Sequence, residues 1–372
     1  MNKYRILYVL SAACFAVFAV SSVLHYHTLG GWALFAALIL LAFAVRGHAI
    51  LSRFTYTISI LAAVCIAMYH PEYFITIGNF KFSSLTIPLL QIIMFGMGTE
   101  LSWNDFAEVM KTPKTVIIGL IAQFTIMPTL GYLLATGFQF PAEIAAGVIL
   151  IGCSPSGLAS NVMSYLAKAN LALSVCITSM ATLLAPFFTP MLMKLLGGTF
   201  IAINFWNMVW DISKIVLIPI AAGVLFNYLL HGKFKWLDKA MPYLSMGGIM
   251  LIIMIIIASG RNSLLEVGIT LLFAVLLHNI GGFLVGYWLA KLMRFDEKDC
   301  RTISIEVGMQ NGGLASGIAL NLGKMATVGL APAIFSSLMN VTGSTLASWW
   351  HYKVPQGHKE AEERKAAAEA VP

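Results

Sequence analysis

Long apolar segments follow one another along almost the whole chain, and they constrain its fold more than any single motif does. A membrane-spanning helix needs about 20 mostly apolar residues, with a range of about 17–25. Backbone polar groups inside a bilayer must be satisfied within the protein, so such segments favour helices. The pattern therefore predicts an all-α polytopic membrane protein with twelve spans, two of them interrupted by Gly- or Pro-rich breaks. The spans are expected at about 5–25, 31–46, 54–70, 83–99, 114–135, 141–168 (interrupted), 170–196, 204–230, 240–259, 263–292, 302–322 (interrupted) and 327–350.

The composition argues against a soluble fold and against binding to nucleic acid. Of the 372 residues, 59% are hydrophobic and only 10% are charged, whereas a soluble domain averages about 25% charged residues. The net charge of +7 comes from Lys and Arg spread over the loops, not clustered on one face as nucleic acid would require. The five cysteines have neither metal-ligand spacing nor the spacing of a disulfide framework, so we expect them to pack inside helices.

The distribution of Lys and Arg predicts the orientation of the chain. Twelve spans place both termini on one side, and a cytoplasmic location for them puts eighteen Lys and Arg inside and five outside. Inner loops carry the excess of these residues, which predicts a multi-pass protein of the cell inner (plasma) membrane with both termini cytoplasmic. Lys3 and Arg5 resemble the start of a signal peptide, but no small-residue cleavage site follows, which favours a retained helix.

A short repeat relates the two interrupted segments. Residues 157–160, Gly-Leu-Ala-Ser, recur at 313–316, which is 156 residues further along (313 − 157). An amide, Gln123 or Asn279, precedes each copy by 34 residues (157 − 123 and 313 − 279). Each unit has five spans, an odd number, so the second unit enters the membrane in the opposite direction and the repeat is inverted. The expected domains are an extra N-terminal transmembrane hairpin at 1–52, five-helix repeats at 53–198 and 199–352, and a charged cytoplasmic tail at 353–372.

Glu306 is the one carboxylate placed deep in an apolar segment without a cation nearby in sequence. A charge at membrane depth costs at least about 2.5–3.5 kcal/mol and indicates a functional site. The stretch 305–316 around it also holds two amides and three glycines, and unwound backbone at that depth must line a cavity or be buried in protein. Paired interrupted helices are typical of a secondary transporter's binding site. A structural, protonated carboxyl is the alternative.

Hydroxyl and amide side chains surround the first break. Ser174 and Thr178 lie four residues apart, so they share one face of their helix. Ser160 and Asn161 begin the half-helix that follows the break. Such oxygens, with the carbonyls of unwound backbone, are the ligands that hard cations prefer. Alternative roles are back-bonding to the i−4 carbonyl for the first two and N-capping for the second two.

Polar side chains on the helices that precede the breaks also have two interpretations. Gln123 is a candidate ligand, or it packs against a polar group between helices. His278 lies beside Asn279 in the middle of a span. A helix-to-helix hydrogen bond is the first interpretation for His278, and proton relay is the second.

The sequence around both breaks resembles the signature stretches of the bile acid/sodium symporter family, closest to bacterial homologues of the apical sodium-dependent bile acid transporter. The resemblance covers about residues 54–350, and its motifs occur in the same order as in the family. It implies ten helices in two inverted repeats, with a core domain that contains two crossing broken helices and a panel domain that moves against it. The matching motifs are Ser156–Met163, Glu306–Gly313, Met94–Gly98 and Leu277–Asn279.

The resemblance also implies two sodium sites and a substrate region. The residues of the first sodium site would be Ser160, Asn161, Ser174, Thr178 and Glu306. Those of the second would be Gln123, Glu306 and Gln310, with the backbone carbonyls of Val307 and Met309. The substrate contacts would be Asn311, Gly157, Leu158, His278 and Asn279. At the position of Leu158 the close bacterial members carry a small hydroxyl residue, so the chain departs from the family pattern where substrate is expected.

Charge predicts the class of substrate. Two sodium ions around one carboxylate leave an excess of one positive charge, and each half-helix N-terminus adds roughly +0.5. We therefore expect a sodium-coupled symporter that imports an organic anion, such as a bile acid or a small carboxylate or sulfonate, by alternating access. The alternatives are a proton-coupled organic-anion exchanger of the same fold, in which Glu306 cycles its proton, and a non-transporting sensor. An enzyme is disfavoured, because the sequence contains neither His-Glu-x-x-His nor Gly-x-Ser-x-Gly.

Overall fold

The computed structural model describes residues 3–48, 51–100, 113–230 and 235–353. A helix, or a pair of half-helices, lies at each of the twelve predicted spans. Residues 354–372 of the predicted charged tail lie outside the described residues. The helices are α1 (Lys3–Val23), α2 (His27–Ala44), α3 (Thr55–Tyr69), α4 (Glu72–Ile75), α5 (Thr86–Glu100), α6 (Pro113–Gly137), α7 (Ala142–Cys153), α8 (Ala159–Leu166), α9 (Leu171–Leu192), α10 (Phe205–Ile215), α11 (Leu217–Leu230), α12 (Lys235–Ser259), α13 (Arg261–Leu292), α14 (Glu297–Gly308), α15 (Gly312–Asn321) and α16 (Leu330–Tyr352).

Short elements complete the described part of the chain. Strands β1 (Thr76–Ile77) and β2 (Phe80–Lys81) pair in an antiparallel hairpin, which the sequence analysis did not predict. Gly78 in its two-residue turn has a φ of +58°, a conformation that glycine adopts at no steric cost. Further short turns are the 3₁₀ segments Val45–Gly47, Leu51–Phe54 and Phe82–Leu85 and the π-helical segment Met193–Gly197.

The all-α polytopic membrane class is confirmed. Seven helical segments of the described residues are long and apolar enough to cross a bilayer. The remaining predicted spans are the two broken helices, the shorter apolar helix α3, the apolar segment Tyr243–Ser259 of α12, and α16. Helix α16 is long enough at 23 residues but carries many Ser, Thr and Asn side chains. The seven are Lys3–Val23, His27–Gly47, Phe82–Thr99, Pro113–Gly137, Leu171–Gly197, Phe205–Leu230 and Arg261–Leu292.

The segment predicted as one span at 204–230 is divided at Val216. Helix α10 ends at Ile215 and α11 begins at Leu217. Pro219 has no N–H to bond to the Ile215 carbonyl, and its ring clashes with that carbonyl. The division therefore follows from a proline whose effect the span prediction did not take into account.

The helices pack in two groups. In one, α5 packs against α11 and α12, and α12 packs against α3. In the other, α6, α9, α13 and α16 pack around the two broken helices, α7–α8 and α14–α15. The N-terminal helices α1 and α2 pack against each other, and α2 packs against α3, so this hairpin flanks the group without breaks.

Two glycines let α5 and α11 approach each other closely. A Cβ added to Gly98 would lie 2.9 Å from Cα of Ile220, and one added to Gly223 would lie 2.9 Å from Cα of Gly98. Small residues at helix interfaces in membranes permit this backbone approach. The contact gives a packing reason for the glycine motif within residues 94–98.

Candidate functional site

The two helix breaks meet at a crossing that two backbone hydrogen bonds hold together. The N–H of Gly157 donates to the Met309 carbonyl at 3.0 Å, and the N–H of Asn311 donates to the Pro155 carbonyl at 2.7 Å. They form a single antiparallel bridge between the two breaks. Helices α7 and α14 end at the crossing, and α8 and α15 begin there, so four helix ends converge inside the protein.

Amides from neighbouring helices bind carbonyls that the breaks leave without helical partners. Gln123 Nε2 on α6 donates to the Ser154 carbonyl at 2.9 Å, just after α7. Asn279 Nδ2 on α13 donates to the Gly308 carbonyl at 2.7 Å, at the end of α14. Unwound backbone at membrane depth is tolerated when protein groups satisfy it in this way. The two amides that share a position in the sequence repeat thus have a similar structural role.

The carboxylate of Glu306 is fully buried among oxygen-bearing side chains. Ser174 Oγ donates to one carboxylate oxygen at 2.5 Å, and Thr178 Oγ1 donates to the other at 2.7 Å. Asn161 Oδ1 lies 2.9 Å from Ser174 Oγ and 3.2 Å from Thr178 Oγ1. Ser160 Oγ lies 3.2 Å from Thr178 Oγ1. The structure therefore brings together all five side chains of the first predicted sodium site, which we call the Glu306 cluster.

The Glu306 cluster contains more oxygen lone pairs than protons to bind them. A hydroxyl carries one proton, yet Ser174 Oγ lies within hydrogen-bond distance of two acceptors and Thr178 Oγ1 lies near three other oxygens. Ser160 Oγ donates its proton to the Gly157 carbonyl at 2.8 Å. Oxygens that face one another without enough protons repel, and either a hard cation or an added proton removes that repulsion. The chemistry of the donor set thus fits a sodium ion.

Ordinary helix hydrogen bonding does not account for these side chains. The hydroxyls of Ser174 and Thr178 donate across to other helices, whereas Thr182 on the same helix bonds back to the carbonyl of Thr178 at 2.7 Å. Leu158 is the N-cap residue of α8 and makes no side-chain cap, so Ser160 and Asn161 lie inside the helix. Among the described residues, no group of three or more His, Cys, Asp or Glu could hold a metal ion, and this set is oxygen-only.

The second predicted sodium set is brought together in part. Gln123 Nε2 donates to Gln310 Oε1 at 2.8 Å, and Gln310 Nε2 donates to the Val307 carbonyl at 2.6 Å. The Met309 carbonyl accepts the crossing hydrogen bond instead. The carboxylate of Glu306 is engaged by the hydroxyls of the Glu306 cluster. Three of the five residues, Gln123, Gln310 and Val307, therefore form one hydrogen-bonded chain. The other two, Glu306 and Met309, lie beside this chain.

Three of the predicted substrate contacts lie at the crossing. Asn311 is the N-cap of α15, and its Oδ1 accepts the N–H of Leu314 at 3.0 Å. Leu158, partly buried, starts α8. Gly157 is buried so closely that an added Cβ would lie 2.8 Å from the Gln310 carbonyl oxygen. The beginnings of both second half-helices are therefore adjacent.

His278 and Asn279 are fully buried within the helix packing. His278 Nε2 binds the Met127 carbonyl at 2.9 Å, which is the helix-to-helix contact expected as the first interpretation of this residue. Asn279 Oδ1 accepts a hydrogen bond from Thr342 Oγ1 at 2.5 Å. Because both side chains bind neighbouring helices, their burial argues against substrate contact in this conformation, and their assignment to the substrate remains a prediction.

Arg301 has a structural role that the sequence analysis missed. Its side chain is 3% exposed, and the guanidinium donates to the carbonyls of Ala167 at 3.1 Å, Trp350 at 3.2 Å and Lys353 at 2.7 Å. It thereby joins α14 to the end of α8 and the end of α16. Glu297, four residues earlier, accepts from Arg301 Nε at 3.0 Å. That i,i+4 pair was the signal for this role in the sequence.

An all-α membrane protein with two broken helices that cross beside a buried carboxylate belongs to the class of secondary transporters. The chain belongs to the sodium bile acid symporter family, whose model matches residues 87–267. It is 41% identical over 301 residues to a protein of Bacillus subtilis named as the uncharacterized sodium-dependent transporter YocS, covering 81% of the chain and 92% of that protein. It is 31% identical over 301 residues to the probable chloroplastic sodium/metabolite cotransporter BASS1 of Oryza sativa, covering 80% and 72%. The same cotransporter of Arabidopsis thaliana is 32% identical over 278 residues, covering 75% and 69%. The family resemblance is thus confirmed, and these relatives are named as sodium-dependent or sodium/metabolite transporters.

Proposed function

We propose that this protein is a sodium-coupled symporter that imports an organic anion by alternating access. The observation that carries the proposal is the Glu306 cluster, a buried carboxylate among hydroxyl and amide oxygens that lack protons for all their contacts. Relatives named as sodium-dependent or sodium/metabolite transporters support the choice of ion. Import and the anionic substrate class are our own extension of these observations.

The first sodium ion would bind in the Glu306 cluster and would join three helices. Ser160 and Asn161 belong to α8, Ser174 and Thr178 to α9, and Glu306 to α14. A cation among their oxygens attracts the carboxylate and removes the repulsion between facing lone pairs. Binding of the ion therefore favours the arrangement in which the two broken helices stay crossed.

A second sodium ion would bind beside the first, at Gln123, Gln310 and the Val307 and Met309 carbonyls, with Glu306 shared between the sites. The Val307 carbonyl now accepts from Gln310 Nε2. A cation would take the place of that N–H, so the amide of Gln310 must turn its oxygen toward the ion. We therefore expect the second site to form with a side-chain rearrangement that the first does not need.

The anion would bind at the beginnings of α8 and α15, next to the crossing. Each helix N-terminus carries a partial positive charge of about half an elementary charge, and two sodium ions exceed the charge of Glu306 by one. Asn311 Oδ1 caps α15, which leaves its amide nitrogen as the group for an anion. Leu158 would contact the remainder of the substrate. The predicted contacts of His278 and Asn279 with the substrate would need a different conformation, because both side chains bind neighbouring helices here.

Packing indicates which side of the crossing is open. Helix α15 packs against α5 and α12 of the group without breaks and against α10, whereas α8 packs against α9, α14 and α16. On α8, Val162 and Tyr165 are 55% and 69% exposed. If the protein lies in the inner membrane with both termini in the cytoplasm, α8 is the half-helix on the cytoplasmic side. We therefore infer an inward-facing state. We also propose the predicted domain division, with the hairpin at 1–52 and the inverted repeats at 53–198 and 199–352.

A proton-coupled exchanger of the same fold is the competing function, because protonation of Glu306 would also supply a missing proton. His278 Nδ1, buried without a partner among the described residues, is a second titratable group that such an exchanger could use. Replacement of Na⁺ by K⁺ at constant pH separates the two functions, since only the symporter would lose uptake.

The proposed function is tested by thermal unfolding of the purified protein with a panel of organic carboxylates and sulfonates, each with Na⁺ and with K⁺. A bound ligand stabilises by RT ln(1 + [L]/Kd), and coupling between ion and anion must be reciprocal. We expect Na⁺ alone to raise the unfolding temperature and at least one anion to raise it further only with Na⁺. Equal stabilisation in both salts would contradict sodium coupling.

A further inference from the structure

The two broken helices are tied together at one end by Glu143. This residue lies in the first turn of α7, on the predicted outer side. Its carboxylate accepts a short hydrogen bond from Lys324 Nζ and one at 2.5 Å from Thr327 Oγ1. Lys324 and Thr327 lie in the turn after α15. The start of one broken helix is therefore bound to the residues that follow the other.

A matching tie lies at the opposite, predicted inner end. Asp299 is in the first turn of α14, and its Oδ1 accepts from Asn170 Nδ2 at 2.8 Å. Thr302, also on α14, accepts from the N–H of Asn170 at 2.9 Å through Oγ1. Asn170 lies in the turn after α8. Here again an acidic first turn of one broken helix holds the residues that follow the other.

The sequence repeat relates the two ties. Asp299 follows Glu143 by 156 residues (299 − 143), the offset that separates Gly157 from Gly313. The partner residues differ, since Lys324 supplies an ammonium and Asn170 an amide. The acceptors occupy equivalent positions in the two halves, but their donors differ. The shared feature is therefore the contact between the two broken helices, more than a particular pair of charges.

We infer that Glu143 and Asp299 are positioning residues that brace the crossing at both ends and thereby set the geometry of the Glu306 cluster. The inference rests on the proposed function where it concerns sodium. The crossing itself has two backbone hydrogen bonds near its centre, around which the broken helices can pivot. Asp299 lies seven residues before Glu306, about 10 Å along α14, and its partner follows α8, which carries Asn161. The angle between α8 and α14 therefore controls the separation of the ligands that the first ion needs.

The test compares Glu143→Ala and Asp299→Ala with a matched control, Glu266→Ala, which removes an exposed carboxylate from α13 on the predicted outer side. Two quantities are measured in the full-length protein. The first is hydrogen–deuterium exchange in sodium-free buffer at the backbone amides of Gly157 and Asn311, which form the crossing. The second is the Na⁺ concentration that gives half of the thermal stabilisation.

We expect faster exchange at the crossing in both brace variants and wild-type exchange in the control. The Na⁺ concentration at half-stabilisation should rise roughly twofold to thirtyfold, the range typical of mutations that act through a packed network. Unchanged exchange at both amides would overturn the brace. Faster exchange with an unchanged Na⁺ midpoint would overturn the positioning role. A wild type without any response to Na⁺ would contradict the proposed function, while the exchange data would still decide the brace.

Conservative variants separate a brace from a simple effect of charge on helix stability. Glu143→Gln and Asp299→Asn keep an acceptor oxygen but lose the negative charge that favours a helix N-terminus. If the hydrogen bond braces the crossing, they should restore slow exchange at Gly157 and Asn311, at least in part. Exchange as fast as in the alanine variants would assign the effect to charge and contradict the inference. The same pair decides the question if an alanine variant does not fold.

Discussion

Burial of the Glu306 carboxylate is unfavourable by itself, and the residues around it offset that cost locally. A charge at the bilayer centre costs at least about 2.5–3.5 kcal/mol. Hydrogen bonds to charged groups contribute about 1.5–3 kcal/mol each, and Glu306 accepts two, from Ser174 and Thr178. The carboxylate is therefore stable enough to remain in the fold, and yet its environment still favours a cation.

We predict that Glu306→Ala abolishes both sodium-dependent uptake and sodium-linked thermal stabilisation. Removal of the carboxylate takes away the only negative charge in the Glu306 cluster, which leaves neutral oxygens for a cation. Thermal unfolding of the purified variant, with and without Na⁺, measures the second effect directly. Retention of the Na⁺ response would show that the ion binds elsewhere.

Two threonines on α9 provide a matched comparison. Thr178→Val removes a hydroxyl that contacts Glu306, whereas Thr182→Val removes an equally buried hydroxyl that bonds only to the Thr178 carbonyl. We expect Thr178→Val to weaken sodium binding about tenfold or more, because the ion would lose one of its oxygen ligands. Titration of the thermal stability of both variants with Na⁺ measures this loss of sodium affinity. Equal midpoints in the two variants would contradict a ligand role for Thr178.

The sequence was sufficient to predict these residues because membrane burial makes each polar side chain conspicuous. Glu306, Ser174 and Thr178 are polar in segments that are otherwise apolar, and their spacing places them on inward faces. Glu143 lies near a helix end, where acidic residues are common, so its type and position give no comparable signal. Its partner Lys324 is 181 residues away, and local spacing carries no information about contacts at that distance.

At the scale of secondary-structure elements, the crossing of the two broken helices depends on the lack of a side chain at Gly157. We predict that Gly157→Ala destabilises the protein by about 1–3 kcal/mol, the usual cost of overpacking. The new Cβ would lie 2.8 Å from the Gln310 carbonyl oxygen and 3.2 Å from its carbon, and backbone atoms cannot yield as a flexible side chain can. Thermal unfolding and uptake are the measurements.

The control for this substitution is Gly247→Ala in α12, where an added Cβ meets nothing within 4 Å. Alanine is the better helix former by about 1 kcal/mol, so this variant should be as stable as the wild type or more so. If both variants behaved alike, the close packing at Gly157 would not be what limits substitution there.

Helix boundaries followed from the sequence more easily than helix interruptions did. The breaks near Pro155 and Gly312 were predicted because two glycine-rich stretches repeated each other. The division at Val216 was missed, because a single proline inside an apolar run either kinks a helix or ends it, and the neighbouring helices decide which. The β1–β2 hairpin was also missed, since strands of two residues are too short to show an alternating pattern.

At the scale of the whole molecule, the orientation of the chain in the membrane is a prediction that labelling can test. We expect Asn79→Cys, exposed in the β1–β2 turn, to react with a membrane-impermeant thiol reagent in intact cells. Arg46→Cys, exposed in the turn after α2, should react only after the cells are permeabilised. The parent protein reports the background from its own cysteines, three of which are buried and two partly buried. The reverse pattern would place the termini outside.

The central position of the Glu306 cluster has an energetic consequence for the cell. If two sodium ions accompany one monovalent anion, each transport cycle moves one net positive charge inward. The membrane potential contributes about 2.3 kcal/mol per elementary charge per 100 mV, equivalent to roughly a fiftyfold accumulation of substrate. An ion bound at the proposed site around the fully buried Glu306 would have crossed only part of that field if the site lies within the membrane. The voltage would then act on ion entry and on the conformational change as separate steps.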